Sequence, residues 1–386
     1  MVQLKIYGRE DSSFGYLQQM IQRFAQKANL GVHIEVYNDV REIAMKNPEG
    51  IPFIEIDGQE TIQLKTGQTA SELYSEVRRK LLNIAGYGTL QNIVVPIDFS
   101  PASINALQYA LDLYHGKEAV IHVIHCFQEL VNDVNGVPYM DQYQIDNLNN
   151  RMEELIARYA NDSRNEGLVI HGEVIIGSPL ANIQRVAKEH DNTVMFMGSS
   201  GTTGVYKILI GSMTRAMLKK AVKPLFIIPP DEKYMPWHAV AWTVDRYKDD
   251  RKVFGSLKDI ISEFNPTLHL LHAKTNDSDD FEFEILNDVH ESFAQNLVKP
   301  HLLVGKNVAE SIESYVSSHD IQLLVMSHYE RGLFDSLFHH SVSKEVASHL
   351  EKPMLIINPK GCKCPDGDLC PGCHEKKEKK EMNMED

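Results

Sequence analysis

The 386-residue chain lacks any apolar run long enough to cross a membrane, and it lacks an excess of positive charge. A membrane-spanning helix needs about 20 apolar residues. Lys and Arg number 39 against 53 Asp and Glu, which gives a formal net charge of −14 at pH 7. This acidic balance argues against unspecific binding to nucleic acid or to an anionic membrane. The N-terminal residues show no signal-peptide hydrophobic region, so we expect a cytoplasmic protein.

Cysteine is scarce, with five in the chain, and four of them fall in one short segment. A disulfide framework distributed over the chain is therefore excluded. Cys362, Cys364, Cys370 and Cys373 form a CxC and a CxxC pair whose four thiolates could hold one tetrahedral ion, with zinc favoured and iron as the second choice. The alternatives are a reduced tail without metal, or a haem at the CxxCH pattern ending in His374, which would require export.

Residues 1–86 predict a small α/β domain that also lacks cysteine. The patterns indicate strands at 2–7, 32–37, 51–58 and 61–64, and helices at 14–28, 40–45 and 69–82. This order, βαβαββα with Pro52 entering the third strand, resembles the thioredoxin/glutaredoxin fold, in which Pro52 would match the family's cis-proline. The resemblance implies redox cysteines before the first helix, where this chain reads Asp-Ser-Ser-Phe-Gly. Since thiol–disulfide exchange needs a thiolate, we expect a redox-inactive module for an unknown protein partner. An unrelated small α/β domain is the alternative.

Residues 90–230 alternate apolar strands with amphipathic helices, as in a doubly wound parallel sheet. Asp98 follows the strand at 93–97, and Gly198 follows the strand at 193–197. Ligands of such sheets bind at the carboxyl ends of the strands. An acid there can accept hydrogen bonds from a ribose or a base, although Asp98 could equally be a helix N-cap.

The glycine pattern Gly198-x2-Gly201-x9-Gly211-Ser212 predicts a phosphate cradle built without lysine. Glycine lets backbone N–H groups approach an anion, and a helix that begins after Gly211 directs its partial positive end toward the same place. Ser212 would add a hydroxyl group. The alternative is an ordinary turn with Ser212 as the N-cap. The chain has no GxxxxGK[ST] motif, so a P-loop ATPase is not supported.

Three motifs together, VPIDFS at 95–100, the glycine pattern, and KPLFIIP at 223–229, resemble a universal stress protein domain of the ATP-binding type. The resemblance implies that Asp98 and the backbone of Val123 hold adenosine and that the glycines and Ser212 hold the phosphates of ATP, ADP or AMP. The implied set of nucleotide-binding residues is Pro96, Asp98, Val123, Gly198, Gly201, Gly211, Ser212 and Met213.

Residues 236–359 repeat this pattern, with an offset of 129 residues from Pro224 to Pro353 and from Ser212 to Ser341. A repeat of this length indicates a duplicated domain. Because domains of the resembled family commonly pair through the last strand, we expect 224–228 to lie beside 353–357 as an intramolecular pseudo-dimer, with a homodimer left open.

The second copy has lost the glycines. The offset places Ser327, Glu330 and His340 where the first copy has Gly198, Gly201 and Gly211, and keeps a serine at Ser341. Asp245, at the end of the strand at 239–244, is the equivalent of Asp98. We expect a degenerate site, because side chains fill the space of the phosphates and Glu330 opposes them by charge. A different ligand is the alternative.

The sequence thus predicts an α/β protein: a thioredoxin-like domain (1–86), two doubly wound universal stress protein domains (90–230 and 236–359) and a Cys-rich charged tail (360–386). The predicted function is an ATP-binding sensor or regulator of the stress response. One alternative is a slow ATPase or phosphotransferase, which ranks second because no catalytic base is evident beside the glycines. The other is a metal- or redox-handling protein built around the tail.

Overall fold

The computed structural model describes the residues 2–7, 17–19, 21–22, 25, 31–46, 53–58, 60–63, 73, 76–78, 80–81, 84, 90–127, 142–190, 192–199, 211–220, 222–244, 247–274, 283–305, 307–327 and 352–359. It divides into two compact units, residues 1–96 with 114–193, and residues 97–113 with 194–386. The boundaries predicted for the domains stay predictions.

In chain order the strands are β1 Val2–Tyr7, β2 Val32–Tyr37, β3 Phe53–Ile56, β4 Glu60–Gln63, β5 Gln91–Pro96, β6 Ala119–Phe127, β7 Leu168–Ile176, β8 Thr193–Gly198, β9 Leu225–Ile228, β10 Ala239–Thr243, β11 Thr267–Lys274, β12 Val298–Val304, β13 Leu323–Ser327 and β14 Met354–Ile357. The helices are α1 Val40–Lys46, α2 Pro101–Leu113, α3 Gln142–Ala160, α4 Pro179–Lys188, α5 Ser212–Lys220, α6 Tyr247–Ile261, α7 Leu286–His290 and α8 Val308–Ser318. Helix α6 and the first half of β12 were not predicted.

The first unit begins with a four-stranded sheet in the order β2-β1-β3-β4. Strands β1 and β2 are parallel, whereas β3 is antiparallel to both β1 and β4. Asp57 and Gly58 connect the β3–β4 hairpin with positive φ angles of 50° and 70°, the conformation that an Asp-Gly turn favours. The strand order agrees with the predicted pattern, and the thioredoxin-like assignment stays a prediction because Pro52 and residues 8–16 lie outside the described residues.

The rest of the first unit contains the parallel strands β5, β6 and β7 with helices α3 and α4. Strands β5 and β6 are rich in apolar residues and are buried over most of their length, as expected of parallel strands with both faces covered. Gly172 lies in β7 under α3, where a Cβ atom would be 2.4 Å from Ile156 Cγ1. Glycine therefore allows this helix to pack closely on the strand.

In the second unit seven strands lie side by side in the order β12-β11-β10-β13-β14-β9-β8. Neighbouring strands are parallel except β14 and β9, which pair antiparallel with Leu355 opposite Phe226. This pairing confirms the predicted contact between the last strands of the two repeats. Within the described part of the chain no helix is both long and apolar enough to cross a membrane.

Helix α2 holds the linker between the repeats. Asn105 Nδ2 donates hydrogen bonds to the carbonyl oxygens of Pro229 (2.9 Å) and Glu232 (2.8 Å). One turn further along, the Tyr109 hydroxyl accepts a hydrogen bond of 3.1 Å from Trp237 Nε1. The linker is therefore fixed to a helix of the first repeat by both backbone and side-chain contacts.

Candidate functional site

Asp98 stands just beyond the end of β5, at the turn into α2. Its side chain is exposed, and its Oδ1 accepts a hydrogen bond of 2.9 Å from the backbone N–H of Ser100. Burial of part of the carboxyl group raises the pKa of Asp98, but hydrogen bonds from Ser100 and Ser103 lower it by more, so the net pKa is below its usual value. The carboxylate is therefore ionised at neutral pH and available as an acceptor.

The cap of helix α2 is Ser100 rather than Asp98. Ser100 Oγ accepts a hydrogen bond of 3.3 Å from the N–H of Ser103, and Pro101 takes the first helical position. Phe99, between the two, has a φ angle of 61°, a left-handed conformation that is uncommon outside glycine. The N-cap role that was the alternative for Asp98 is thus filled by its neighbour.

Gly198, the last residue of β8, lies against the first turn of α2. A Cβ atom at this position would be 2.4 Å from the carbonyl oxygen of Ala102 and 3.0 Å from the backbone nitrogen of Ser103. These are backbone atoms and cannot rotate away, so the contact requires glycine. Gly198 therefore has a packing role in addition to the phosphate role that its motif predicts.

Helix α5 starts beside the same strand end. Its first backbone hydrogen bond runs from the Arg215 N–H to the carbonyl of Gly211 (2.9 Å), and Thr214 Oγ1 donates to the carbonyl of Gly198 (3.1 Å). Ser212 is exposed, whereas Gly211 and Met213 are half-buried. The first N–H groups of a helix have no partner within it and carry its partial positive charge.

The structure thus brings Asp98, Gly198, Gly211 and the start of α5 into one unit through the first turn of α2. Pro96 and Val123 belong to the other unit, where Val123 is fully buried in β6 opposite Val95. Gly201 lies outside the described residues. Whether these three residues join the site stays a prediction.

The second copy of the site can be followed only at Ser327, because Asp245, Glu330, His340 and Ser341 lie outside the described residues. Ser327 ends β13 as Gly198 ends β8, and its side chain is buried. Its Oγ has no hydrogen-bond partner among the described residues. A serine at the strand end of the second repeat thus occupies the position at which the first repeat requires glycine.

A layer of histidines lies in each repeat, buried in the first and partly exposed in the second, and was missed by the sequence analysis. In the first repeat His122 Nε2 donates to Asn92 Oδ1 (2.9 Å), and its ring lies 6.1 Å from that of His171 and 6.0 Å from that of His190. Burial, followed by the charges of Arg78, His171 and His190, lowers the pKa of His122 well below its usual value. This ring is therefore neutral at physiological pH.

The second repeat carries a corresponding layer around His269. Nδ1 of His269 shares a hydrogen bond of 2.8 Å with the Tyr315 hydroxyl, and its ring lies 5.6 Å from His301 and 6.1 Å from His319. Burial, with smaller effects of His301, Lys299 and His319, lowers the pKa of His269 to about 4. The repeat offset that relates Ser212 to Ser341 also relates His190 to His319, so the sequence held a signal for this layer.

No group of three or more His, Cys, Asp or Glu side chains among the described residues could hold a metal ion. The four cysteines of the tail lie outside those residues, so their zinc site stays a prediction. The remaining cysteine, Cys126, is half-buried in β6, and burial with the charge of Glu173 raises the pKa of its thiol to about 12. This thiol is therefore protonated at neutral pH.

Comparison with known proteins gives matches to both repeats. A sequence profile described as the Universal stress protein family matches residues 89–229 and 239–358. Universal stress protein MJ0531 of Methanocaldococcus jannaschii is 25% identical over 150 residues, which are 38% of this chain and 87% of that protein. Universal stress protein YxiE of Bacillus subtilis is 24% identical over 143 residues, 35% of this chain and 97% of that protein.

Among solved structures, a universal stress protein from Archaeoglobus fulgidus matches with a TM-score of 0.54 at 19% identity. The match covers 70% of this chain and 99% of that one. At this identity the match shows the fold alone.

Proposed function

The chain belongs to the universal stress protein family, and from that premise we propose that its first repeat binds one adenine nucleotide, ATP or a product of it, in a regulator of the stress response. The second repeat has the same fold and a degenerate site. The proposal rests on the geometry at the end of β8 and on the resemblance of the glycine pattern to the ATP-binding type of this family.

The observation that carries the proposal is that two helices begin at one strand end. The first turn of α2 contacts Gly198 through Ala102 and Ser103, and the first turn of α5 bonds to the carbonyl of Gly198 through Thr214. Both helix starts direct a partial positive charge toward this region. Backbone N–H groups at a helix N-terminus favour a phosphate chain without a lysine. At α2 the Ser103 N–H is already bonded to Ser100 Oγ, so the start of α5 is the principal phosphate-binding element.

Asp98 would take the uncharged end of the nucleotide. An ionised carboxylate repels phosphate, whereas it accepts hydrogen bonds from ribose hydroxyls or from an exocyclic amino group. Its Oδ1 is already held by the Ser100 N–H, which fixes the orientation of the carboxyl group at the end of β5. The nucleotide would therefore bind in one orientation, with its phosphates at the helix starts and its ribose at Asp98.

Binding of ATP to the purified protein and to two matched variants tests the proposal. We expect Gly211→His to weaken ATP binding by about 100-fold or more, because the side chain fills the start of α5. His340→Ala, at the corresponding position of the second repeat, should bind ATP as the wild type does. Binding that survives Gly211→His would contradict the proposal, and phosphate release from bound ATP would favour the slow ATPase instead.

For residues 1–86 we propose a redox-inactive module of thioredoxin-like topology. The strand order β2-β1-β3-β4 with one parallel and two antiparallel pairs supports it, and the absence of cysteine from this segment removes the thiol chemistry. Insulin reduction by the full chain should stay at background. Activity that disappears when residues 1–86 are deleted would overturn the assignment.

A further inference from the structure

Among the described residues of the N-terminal module, Arg78 is a deeply buried ionised side chain, 2% exposed. Its Nη1 donates to Glu173 Oε2 of β7 at 2.9 Å, and its Nη2 donates to Glu189 Oε2 at the end of α4. The two glutamates are 12% and 7% exposed. Arg185 donates to the second oxygen of Glu189 at 3.2 Å, so this carboxylate is held by two guanidinium groups.

A buried ionic cluster of this kind allows one mode of contact between the N-terminal module and the first repeat. Ions removed from water are expensive unless each is paired, and removing one partner leaves the other charge buried without compensation. The planar guanidinium of arginine presents two parallel N–H directions, which two carboxylates on separate elements can accept together. Arg78 therefore fits this position in a way that lysine or an apolar side chain does not.

The charge of Arg78 also reaches the histidine layer of the first repeat. It contributes to the low pKa of His122, second only to burial. Glu173 lies on β7 two residues beyond His171, so both side chains leave the same face of the strand. The module thus contacts the same face of the sheet that carries the imidazole of His171.

The second repeat provides an internal control, because it kept imidazoles at the positions of His122 and His190 and lost the carboxylates. His122 lies opposite Val94 in the sheet as His269 lies opposite Ala241. In this register Glu173, opposite Ile124, corresponds to His301, opposite Leu271. The repeat offset places Ser318 at the position of Glu189. Neither acceptor of a buried arginine is present there.

We propose that the first repeat carries a docking face for residues 1–86 of the same chain, formed by Glu173 and Glu189 and recognised by Arg78. The module is a fixed cap on the first repeat, and its segment around Arg78 is not free to recruit another protein. The second repeat has no such face and takes no module. This inference does not depend on nucleotide binding.

Cleavage of the full chain between module and repeat tests the inference. A site-specific protease sequence is inserted between Gly86 and Tyr87, the folded protein is cut, and the two fragments are followed by size-exclusion chromatography on dilution. The wild-type fragments should stay together, and Arg78→Met should weaken their association by about 100-fold or more. Arg164→Met is the matched control: Arg164 is exposed and pairs with Asp162, and its replacement should leave the fragments together.

Hydrogen exchange on the uncut chain is a second test, which distinguishes a local effect of Arg78→Met from a general loss of folding. Arg78→Met should increase exchange in β7 and α4 and leave β10, β13 and β14 at wild-type protection. If Arg78→Met increases exchange throughout the protein, both experiments are repeated with Glu189→Gln. An amide at this position keeps the shape of the side chain and loses the charge. Wild-type fragments that separate after cleavage, or Arg78→Met and Glu189→Gln fragments that associate as tightly as the wild type, would overturn the inference.

Discussion

The two repeats share an order of strands but differ in what covers the edge of the sheet. In the first repeat a helix of 19 residues, α3, packs on β7 closely enough to require Gly172. In the second repeat the helix before β12 has five residues, and Leu302 and Val304 of β12 are 44% and 65% exposed. Duplication has preserved the buried strands, whereas helices and site residues have diverged where packing of the central strands does not depend on them.

The same contrast holds at the strand ends and at the histidine layers. The first repeat combines Gly198, the two helix starts and a docked module, and the second has Ser327 and a layer around His269 in which His319 is exposed. A substitution can therefore leave the stability unchanged in one repeat and lower it strongly at the corresponding position of the other. Three pairs of substitutions and one single substitution test these features.

The largest effect is expected at the edge strands. Ile170 of β7 is buried on the side of α3, so Ile170→Ala should lower the free energy of unfolding by about 4 kcal/mol through lost burial and a cavity. Leu302→Ala on exposed β12 should change it by less than about 0.5 kcal/mol. Urea denaturation of both variants makes the comparison. Similar losses at the two positions would show that the edge of the second repeat is covered in solution.

A smaller loss is expected at the ends of β8 and β13. Gly198→Ala should lower the free energy of unfolding by about 3 kcal/mol, because its Cβ atom meets the backbone of Ala102. Ser327→Ala removes a buried hydroxyl that has no partner among the described residues, and it should be neutral or stabilising. Thermal and urea unfolding of the two variants should agree on this order. A destabilising Ser327→Ala would mean that the second repeat uses its serine.

The linker between the repeats comes next. Tyr109→Phe removes the acceptor of the buried Trp237 N–H and should destabilise the protein by about 2 kcal/mol. The change should appear in the fluorescence of Trp237 before global unfolding. Tyr143→Phe on the exposed face of α3 is the control and should have no effect. If the two variants are equally stable, the contact of Tyr109 with the linker is not energetically significant.

The smallest effect concerns pH. The pKa of His269 is about 4 in the folded protein, below the value of about 6.5 in the unfolded chain, so the unfolded state binds more protons in this window. Stability is therefore lost as pH falls from about 6.5 toward 4. His269→Gln should reduce the loss of stability between pH 7 and pH 5 by about 1 kcal/mol, after allowance for partial exposure. An unchanged slope would mean that the ring is not held neutral.

The alternation of strands and helices was predictable because each apolar run and amphipathic segment is a local signal. The pairing of β9 with β14 was expected from the resemblance to the universal stress protein family and is confirmed, whereas its antiparallel direction was not predicted. What could not be predicted depends on residues distant in sequence. Nothing near Gly198 indicates that Ala102 lies against it, and Arg78 is separated by 95 and 111 residues from its two carboxylates.

The site was predictable in composition and only partly in position. The strand ends at Asp98 and Gly198 and the helix start at Ser212 lie where the pattern predicted them. The second role of Gly198 was not foreseen, because the motif predicts a ligand contact and carries no information on the approach of α2. Helix α6 was missed although Val253, Leu257 and Ile261 recur at helical spacing and are buried.

Isothermal titration of the full chain with ATP tests the central claim most directly, because it counts sites. One nucleotide per chain is expected, with loss of binding in Gly211→His and an unchanged count in His340→Ala. A stoichiometry of two would mean that the second repeat kept its site despite Ser327, and no binding at all would contradict the nucleotide site of the first repeat.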